Sequence, residues 1–185
     1  MYSLLLVDDE RLELETLRDY IAWEKLGFDR VYTARSGRDA YDKVLRLKPD
    51  VMITDIHMPV MNGIELARQM YADGCTTKVV FLTGYDEFEY AKKAIKLNVI
   101  EYILKPVNVE ELTAILKKIK KNLDEEIEQK RNVTLLRESY IKSLPALREH
   151  FLNDLIQGGM EETQIEEKLN EYAIDVAGAV KWVIA

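Results

Sequence analysis

Residues 51–66 read VMITDIHMPVMNGIEL. Val51–Thr54 is short, apolar and rich in branched side chains, which predicts a strand, and Asp55 closes it. Met58-Pro59 and Asn62-Gly63 are turn formers, with Gly63 freeing the turn before the next helix. Gly63–Ala72 then carries a helical pattern of apolar positions. A strand that is apolar almost throughout belongs in a parallel sheet whose faces are both covered by helices.

The same unit recurs along the chain. Tyr2–Val7 (YSLLLV), Val31–Ala34 (VYTA), Val79–Thr83 (VVFLT) and Tyr102–Leu104 (YIL) are further short hydrophobic bursts. Amphipathic stretches separate them: about Arg11–Trp23, Gly37–Leu47, Asp86–Lys96 and Val109–Leu123. Five strand-helix units within ~120 residues predict a doubly wound α/β domain and are too few for an eight-fold barrel.

The chain has 185 residues, which at ~150 per domain suggests one complete domain and a smaller second unit. Hydrophobic residues make up 48% and charged residues 32%, a mix that can bury a core and excludes wholesale disorder or a collagen-like fibre. A single cysteine, Cys75, excludes a disulfide framework. No apolar run approaches the ~18 residues that span a bilayer, and no basic-then-apolar leader opens the chain. The net charge is −7, the wrong sign for nucleic-acid binding by the chain as a whole. A soluble, cytoplasmic, acidic protein without membrane attachment is expected.

Residues 123–185 hold 13 acidic and 7 basic side chains, nearly all of the excess negative charge. Leu112, Leu116, Ile119 and Leu123 repeat at three- and four-residue steps, and Val133, Tyr140, Leu144, Leu147 and Phe151 resume that register. Glu126, Lys130 and Arg137 fall on the same seam, so a coiled coil and a solvated helix with one sticky face both fit. Ser143 and Pro145 predict a helix restart, and Gly158-Gly159 an end. Met160–Tyr172 reads as another helix. Val180–Ala185 reads as the start of a strand, and hence of a truncated further domain. The expected division is 1–122, 123–178 and 179–185, the middle part serving as a linker or dimerisation region.

Chemistry-bearing residues gather at strand ends. Asp8, Asp9 and Glu10 follow the first strand, Asp55 ends the third, Thr83 the fourth and Lys105 follows the fifth. In open α/β sheets, ligands bind outside the carboxyl ends of the strands. An Asp after a strand often only caps a helix, but capping does not account for polar groups at four of five ends. Clustered carboxylates repel one another unless a cation neutralises them. Hard oxygen donors suit Mg²⁺, which binds through one or two carboxylates, waters and phosphate oxygens. A carboxylate can also become an aspartyl phosphate, with a hydroxyl and a lysine serving the phosphoryl oxygens.

These residues resemble a known family. LLLVDDE, VMITDIHMPVMNGIEL, VVFLTGYDEFEYAKKAI and EYILKPV together look like the receiver domain of two-component response regulators, over residues 1 to about 122. The resemblance implies a flavodoxin-like five-stranded parallel sheet followed by a mostly helical extension. It implies Asp55 as phosphoacceptor from a sensor histidine kinase. Mg²⁺ would be bound by Asp9, by Asp8 through water, by Asp55 and by the His57 backbone carbonyl. Thr83 and Tyr102 would form the switch pair and Lys105 would contact the phosphate, followed by a cis-proline, Pro106. Pro59 and Gly63 would shape the loop after Asp55, and the His57 side chain would tune phosphoryl lifetime. Lys92, Lys93 and Lys96 read more simply as a solvated helix face than as a dimer contact.

The tail, through FLNDLIQGGMEETQIEEKL, resembles regulators that carry an AraC-type DNA-binding domain at the far C-terminus. The expected function is therefore phosphorylation-dependent control of transcription through a domain outside this chain, with a homodimer formed by the receiver or the helical extension. Enzymatic activity beyond self-catalysed phosphoryl acceptance and hydrolysis is not expected. The alternatives are a Mg²⁺-dependent aspartyl-phosphate phosphotransferase or phosphatase, a relay receiver without DNA-binding output, and a bare scaffold. Haloacid-dehalogenase-type phosphatases normally carry a second Asp two residues after the nucleophile, where this chain has His57, and no Gly-rich P-loop is present.

Overall fold

A computed structural model of the chain describes residues 1–84, 99–158 and 160–174. The helix expected at Asp86–Lys96, with Lys92, Lys93 and Lys96, lies outside the described residues, as do Gly159 and the strand expected at Val180–Ala185. The elements are β1 (Tyr2–Val7), α1 (Arg11–Tyr20), a 3-10 turn (Trp23–Leu26), β2 (Phe28–Ala34), α2 (Gly37–Leu47) and β3 (Val51–Asp55). There follow α3 (Gly63–Ala72), β4 (Lys78–Thr83), β5 (Val99–Leu104), α4 (Val109–Gln157) and α5 (Glu162–Glu171). The chain divides into two compact units, Met1–Asp124 and Glu125–Ala185, and the division falls inside α4.

In the first unit the strands form one parallel sheet in the order β2-β1-β3-β4-β5, the flavodoxin-like order of doubly wound folds. Alternate residues of each strand face opposite sides. Leu4, Leu6, Ile53, Val80, Leu82 and Ile103 pack with Leu14 of α1 and Leu112, Leu116 and Ile119 of α4. Leu5, Val7, Met52, Val79 and Phe81 pack with Ala40 and Val44 of α2 and Leu66, Ala67 and Met70 of α3. The chain thus leaves β1 over one face and leaves β2 over the other, so the direction of winding reverses between β1 and β3.

The central elements follow the sequence pattern closely, and the departures have physical causes. Helix α1 ends at Tyr20 instead of reaching Trp23, because the Trp23 indole Nε1–H donates to the Arg18 carbonyl at 2.8 Å and the chain turns to bury Ile21. Strand β2 begins at Phe28, three residues before the hydrophobic burst. It is an edge strand, so the exposed Asp29 and Arg30 that follow the buried Phe28 do not interrupt it. Strand β5 likewise begins at Val99 rather than Tyr102.

The restart expected at Ser143 and Pro145 does not occur. Helix α4 runs through both residues. Pro145 is exposed and removes one backbone donor, so the carbonyl it leaves can be met by water, and the Ser143 hydroxyl donates to the Tyr140 carbonyl at 2.9 Å. The expected end at Gly158 does occur, in the left-handed conformation at φ 77°. Within the second unit α4 and α5 pack as a hairpin. Phe151 and Tyr172 meet edge to face at 5.8 Å, and Arg148 donates from Nε to the Tyr172 carbonyl and from its terminal nitrogen to that of Ala173. A cation at the cap residues just past the C-terminus of α5 complements the helix dipole.

The loop after β3 is drawn in tightly. Asn62 caps α3, accepting from the Glu65 amide at 2.8 Å while Glu65 Oε2 accepts from the Asn62 amide at 3.2 Å. The Gly63 amide donates to the Ile56 carbonyl at 3.0 Å. A Cβ on Gly63 would stand 2.2 Å from the Asp55 carbonyl oxygen, so a glycine is required by close approach rather than by its torsion angles. Gly63→Ala should lower unfolding free energy by about 1–3 kcal/mol through overpacking. A urea titration monitored by circular dichroism would check this, and an unchanged midpoint would show that the loop relaxes freely.

Candidate functional site

The sheet brings the acidic residues together at its switch point. Strands β1 and β3 are hydrogen-bonded neighbours with Val7 opposite Thr54, so the next residues, Asp8 and Asp55, emerge side by side. Asp8 and Asp55 are buried and Asp9 is half-buried. One carboxylate oxygen from each of Asp8, Asp9 and Asp55 lies within 4.8 Å of the others, the group among the described residues best suited to a metal ion.

Lys105 closes the site from β5. The Lys105 amide donates to the Thr83 carbonyl at 2.8 Å, which continues the β4–β5 ladder one step past the strand. The Lys105–Pro106 peptide is cis. The Lys105 ammonium donates to Asp8 Oδ2 at 3.1 Å, Asp55 Oδ2 at 3.0 Å and Glu13 Oε2 at 2.7 Å. Glu13 was not foreseen. It stands one helical turn past Asp9, beside the buried Leu14, but a glutamate in an amphipathic helix carries no signal that distinguishes a site partner from a solvated side chain.

The electrostatics follow from burial and crowding. Burial pushes the Asp8 carboxyl above the usual carboxylate range. The Glu10 amide at 2.8 Å and the Lys105 ammonium act against that shift, and the Asp55 charge acts with it. Burial disfavours the Lys105 charge, yet its bonds to Glu13, Asp55 and Asp8 hold the ammonium well above the usual lysine range. Three carboxylates therefore share one ammonium and a fourth, Asp9, lies beside them, leaving excess negative charge suited to a hard divalent cation.

Thr83 is fully buried and its hydroxyl donates to the Gly84 carbonyl at 3.1 Å. Tyr102 is half-buried and stacks on Phe81 at 5.6 Å between ring centroids. Phe81 and Thr83 are two residues apart on β4, and Tyr102 is Phe81's register partner on β5, so all three share one face of the sheet. Burial raises the Tyr102 phenol above its ordinary value. His57 and Pro59 are exposed in the loop after β3, whereas Met58 is buried. His150, the other histidine, lies in the second unit, 3.6 Å from Asp154. Gly37 was also missed. A Cβ there would stand 2.4 Å from the Met61 carbonyl oxygen, so α2 braces the loop that carries His57.

A five-stranded 2-1-3-4-5 sheet with paired carboxylates at its switch point, a hydroxyl on β4 and a lysine after β5 defines a receiver-type phosphorylation domain. Residues 4–117 match the family model of the response regulator receiver domain, and the chain belongs to that family, as the receiver part of a two-component response regulator. A transcriptional regulatory protein of Bacillus subtilis (strain 168), YesN, is 37% identical over 160 residues, covering 85% of this chain and 43% of its own length. Transcriptional regulatory protein HptR of Staphylococcus aureus (strain N315) is 36% identical over 129 residues, covering 70% of this chain and 50% of its own. The chain thus spans about half the length of the curated relatives it matches.

Among solved structures, the receiver domain of AraT from Geobacillus stearothermophilus superposes with a TM-score of 0.62 at 35% identity, over 68% of this chain and 97% of that one. A two-component transcriptional regulator AraC from Clostridium phytofermentans ISDg gives 0.64 at 35% identity, again over 68% and 97%. Among the described residues no helix is long and apolar enough to cross a membrane.

The raised Asp8 value sets a sign. A carboxyl whose folded pKa lies above its unfolded value of 3.8 binds protons more tightly when folded. Its stabilising contribution is present below the unfolded value and is lost as pH rises through the folded one. In metal-free buffer at pH 7, Asp8→Asn should raise the melting temperature by a few degrees, and the gain should vanish as pH falls toward 4. A lower melting temperature for the variant at pH 7 would show that Asp8 is stabilised more by Lys105 than it is penalised by burial.

Proposed function

We propose that this chain is the phosphoryl-accepting part of a cytoplasmic transcription regulator, charged on Asp55 by a sensor histidine kinase. The observation that carries this reading is the meeting of Asp8, Asp9 and Asp55 within 4.8 Å, with Lys105 3.0 Å from Asp55. An Asp55 carboxylate oxygen would attack the phosphorus of a phosphohistidine. The new O–P bond forms as the P–N bond breaks, and the imidazole leaves with the electron pair.

Asp8, Asp9, Asp55 and the His57 backbone carbonyl would hold Mg²⁺, which when bound neutralises the gathered charge on the carboxylates and the phosphoryl oxygens. The chain's own residues do the rest. Lys105 offers an ammonium proton to the incoming phosphoryl group, and the tight loop between Asp55 and Gly63 holds the nucleophile at the strand end. Asp8 and Asp9 would share the holding of the metal with Asp55, and the exposed His57 stands where it can affect water access and hence phosphoryl lifetime. Turnover of a free substrate is no part of this reading.

Phosphorylation adds about −1.5 to −2 charge and three strong acceptors beside Thr83. The Thr83 hydroxyl, now given to the Gly84 carbonyl, turns toward the phosphoryl oxygens. Tyr102, half-buried on the same face, moves into the space vacated, and the surface beside β5 changes with it. This is a two-state element read by a partner or by a second copy. DNA binding, of AraC type as in the name of one similar structure, is assigned to sequence outside this chain.

A homodimer is the expected assembly. In the second unit α4 leaves Ile127, Val133, Leu136 and Ile156 more than half exposed, apolar surface that a second copy would cover. Two measurements test the proposal. With acetyl phosphate or a cognate kinase in magnesium buffer, one phosphoryl group per chain should appear on Asp55, with at least a hundredfold less on Asp55→Ala and none after chelation of the metal. Labelling of another residue overturns the phosphoacceptor reading. Replacing Val133 and Leu136 together by Lys should halve the mass seen in sedimentation equilibrium, and an unchanged mass excludes this face from the dimer.

A further inference from the structure

The Lys105 ammonium has three protons and three carboxylate partners, so each proton already has an acceptor. Asp8 and Asp55 are buried, with side-chain exposures of 5% and 10%, and they are fixed at the ends of adjacent strands. Glu13 differs from both. It approaches from α1, makes the shortest of the three contacts at 2.7 Å, and its side chain is 47% exposed. A phosphoryl group on Asp55 needs one of these protons, and one present partner must yield it.

Of the three, Glu13 yields most readily. A buried carboxylate that loses its cation is left desolvated and unpaired, whereas a half-exposed glutamate exchanges an ion pair for water at little cost. We infer that Glu13 is a positioning residue that competes with the phosphoryl group for Lys105, holding the ammonium in the resting state and weakening the hold on phosphate. The inference rests on the phosphoacceptor reading of Asp55. It adds to that reading a second element, α1, that senses whether the site is charged, because Glu13 is released into solvent when phosphate arrives.

The competition acts through a contact, which separates it from the repulsion any negative charge would exert on an incoming anion. Glu13→Ala removes both charge and contact. Glu13→Asp keeps the charge but withdraws it by one methylene from an ammonium held in place by two buried carboxylates.

The experiment is an equilibrium titration of the intact chain with beryllofluoride in magnesium buffer, followed by fluorine NMR. Both variants should bind the phosphoryl mimic about three- to fivefold more tightly than the unaltered chain, the scale of a half-exposed ion pair. If Glu13→Asp binds like the unaltered chain while Glu13→Ala binds more tightly, Glu13 acts as a distant charge and the inference is overturned. It is also overturned if neither variant changes affinity, or if either binds more weakly. Should the unaltered chain itself take up no beryllofluoride, the phosphoacceptor reading fails first and this inference with it.

Discussion

Like charges in one small volume are the constraint around which this molecule is built. Three carboxylates from two adjacent strands cannot share a few ångströms of half-buried space without a cation, and the fold supplies one of its own, Lys105, from a third strand. Even so the balance stays negative, since Glu13 is a third carboxylate on the same ammonium and Asp9 stands beside the group as a fourth negative charge. That residual charge suits the site to a hard divalent cation.

The scaffold is arranged to hold this repulsion still. Parallel strands β1 and β3 place Asp8 and Asp55 in register, and both strands are sealed by apolar layers on each face. The Asp55 carbonyl is packed so closely against Gly63 that the backbone behind the carboxylate has no room to retreat. The capping box of Asn62 and Glu65 starts α3 directly after that approach.

The two compact units differ in kind. The first buries a layered core on both faces of its sheet. Among the described residues of the second, only Phe151 and Tyr172 are buried hydrophobics, and several apolar side chains of α4 stand in solvent. Among its described residues, such a hairpin buries little apolar surface of its own.

Much of this was legible in the order of residues. Alternating strand and helix periods define a doubly wound sheet, because each period is a direct geometric consequence of backbone repeat. Asp8, Asp9, Asp55, Thr83 and Lys105 announce themselves because polar groups at the ends of apolar strands have few structural reasons to be there. Edges and continuity were less legible. The start of β2 hides behind Asp29 and Arg30, which only an edge strand tolerates, and α4 passes Pro145 because that turn is exposed. Glu13 and Gly37 belong wholly to the tertiary structure. Nothing local marks a helix glutamate as the third partner of a distant lysine, or a helix glycine as the brace of another loop, since both roles exist only once separate elements are packed together.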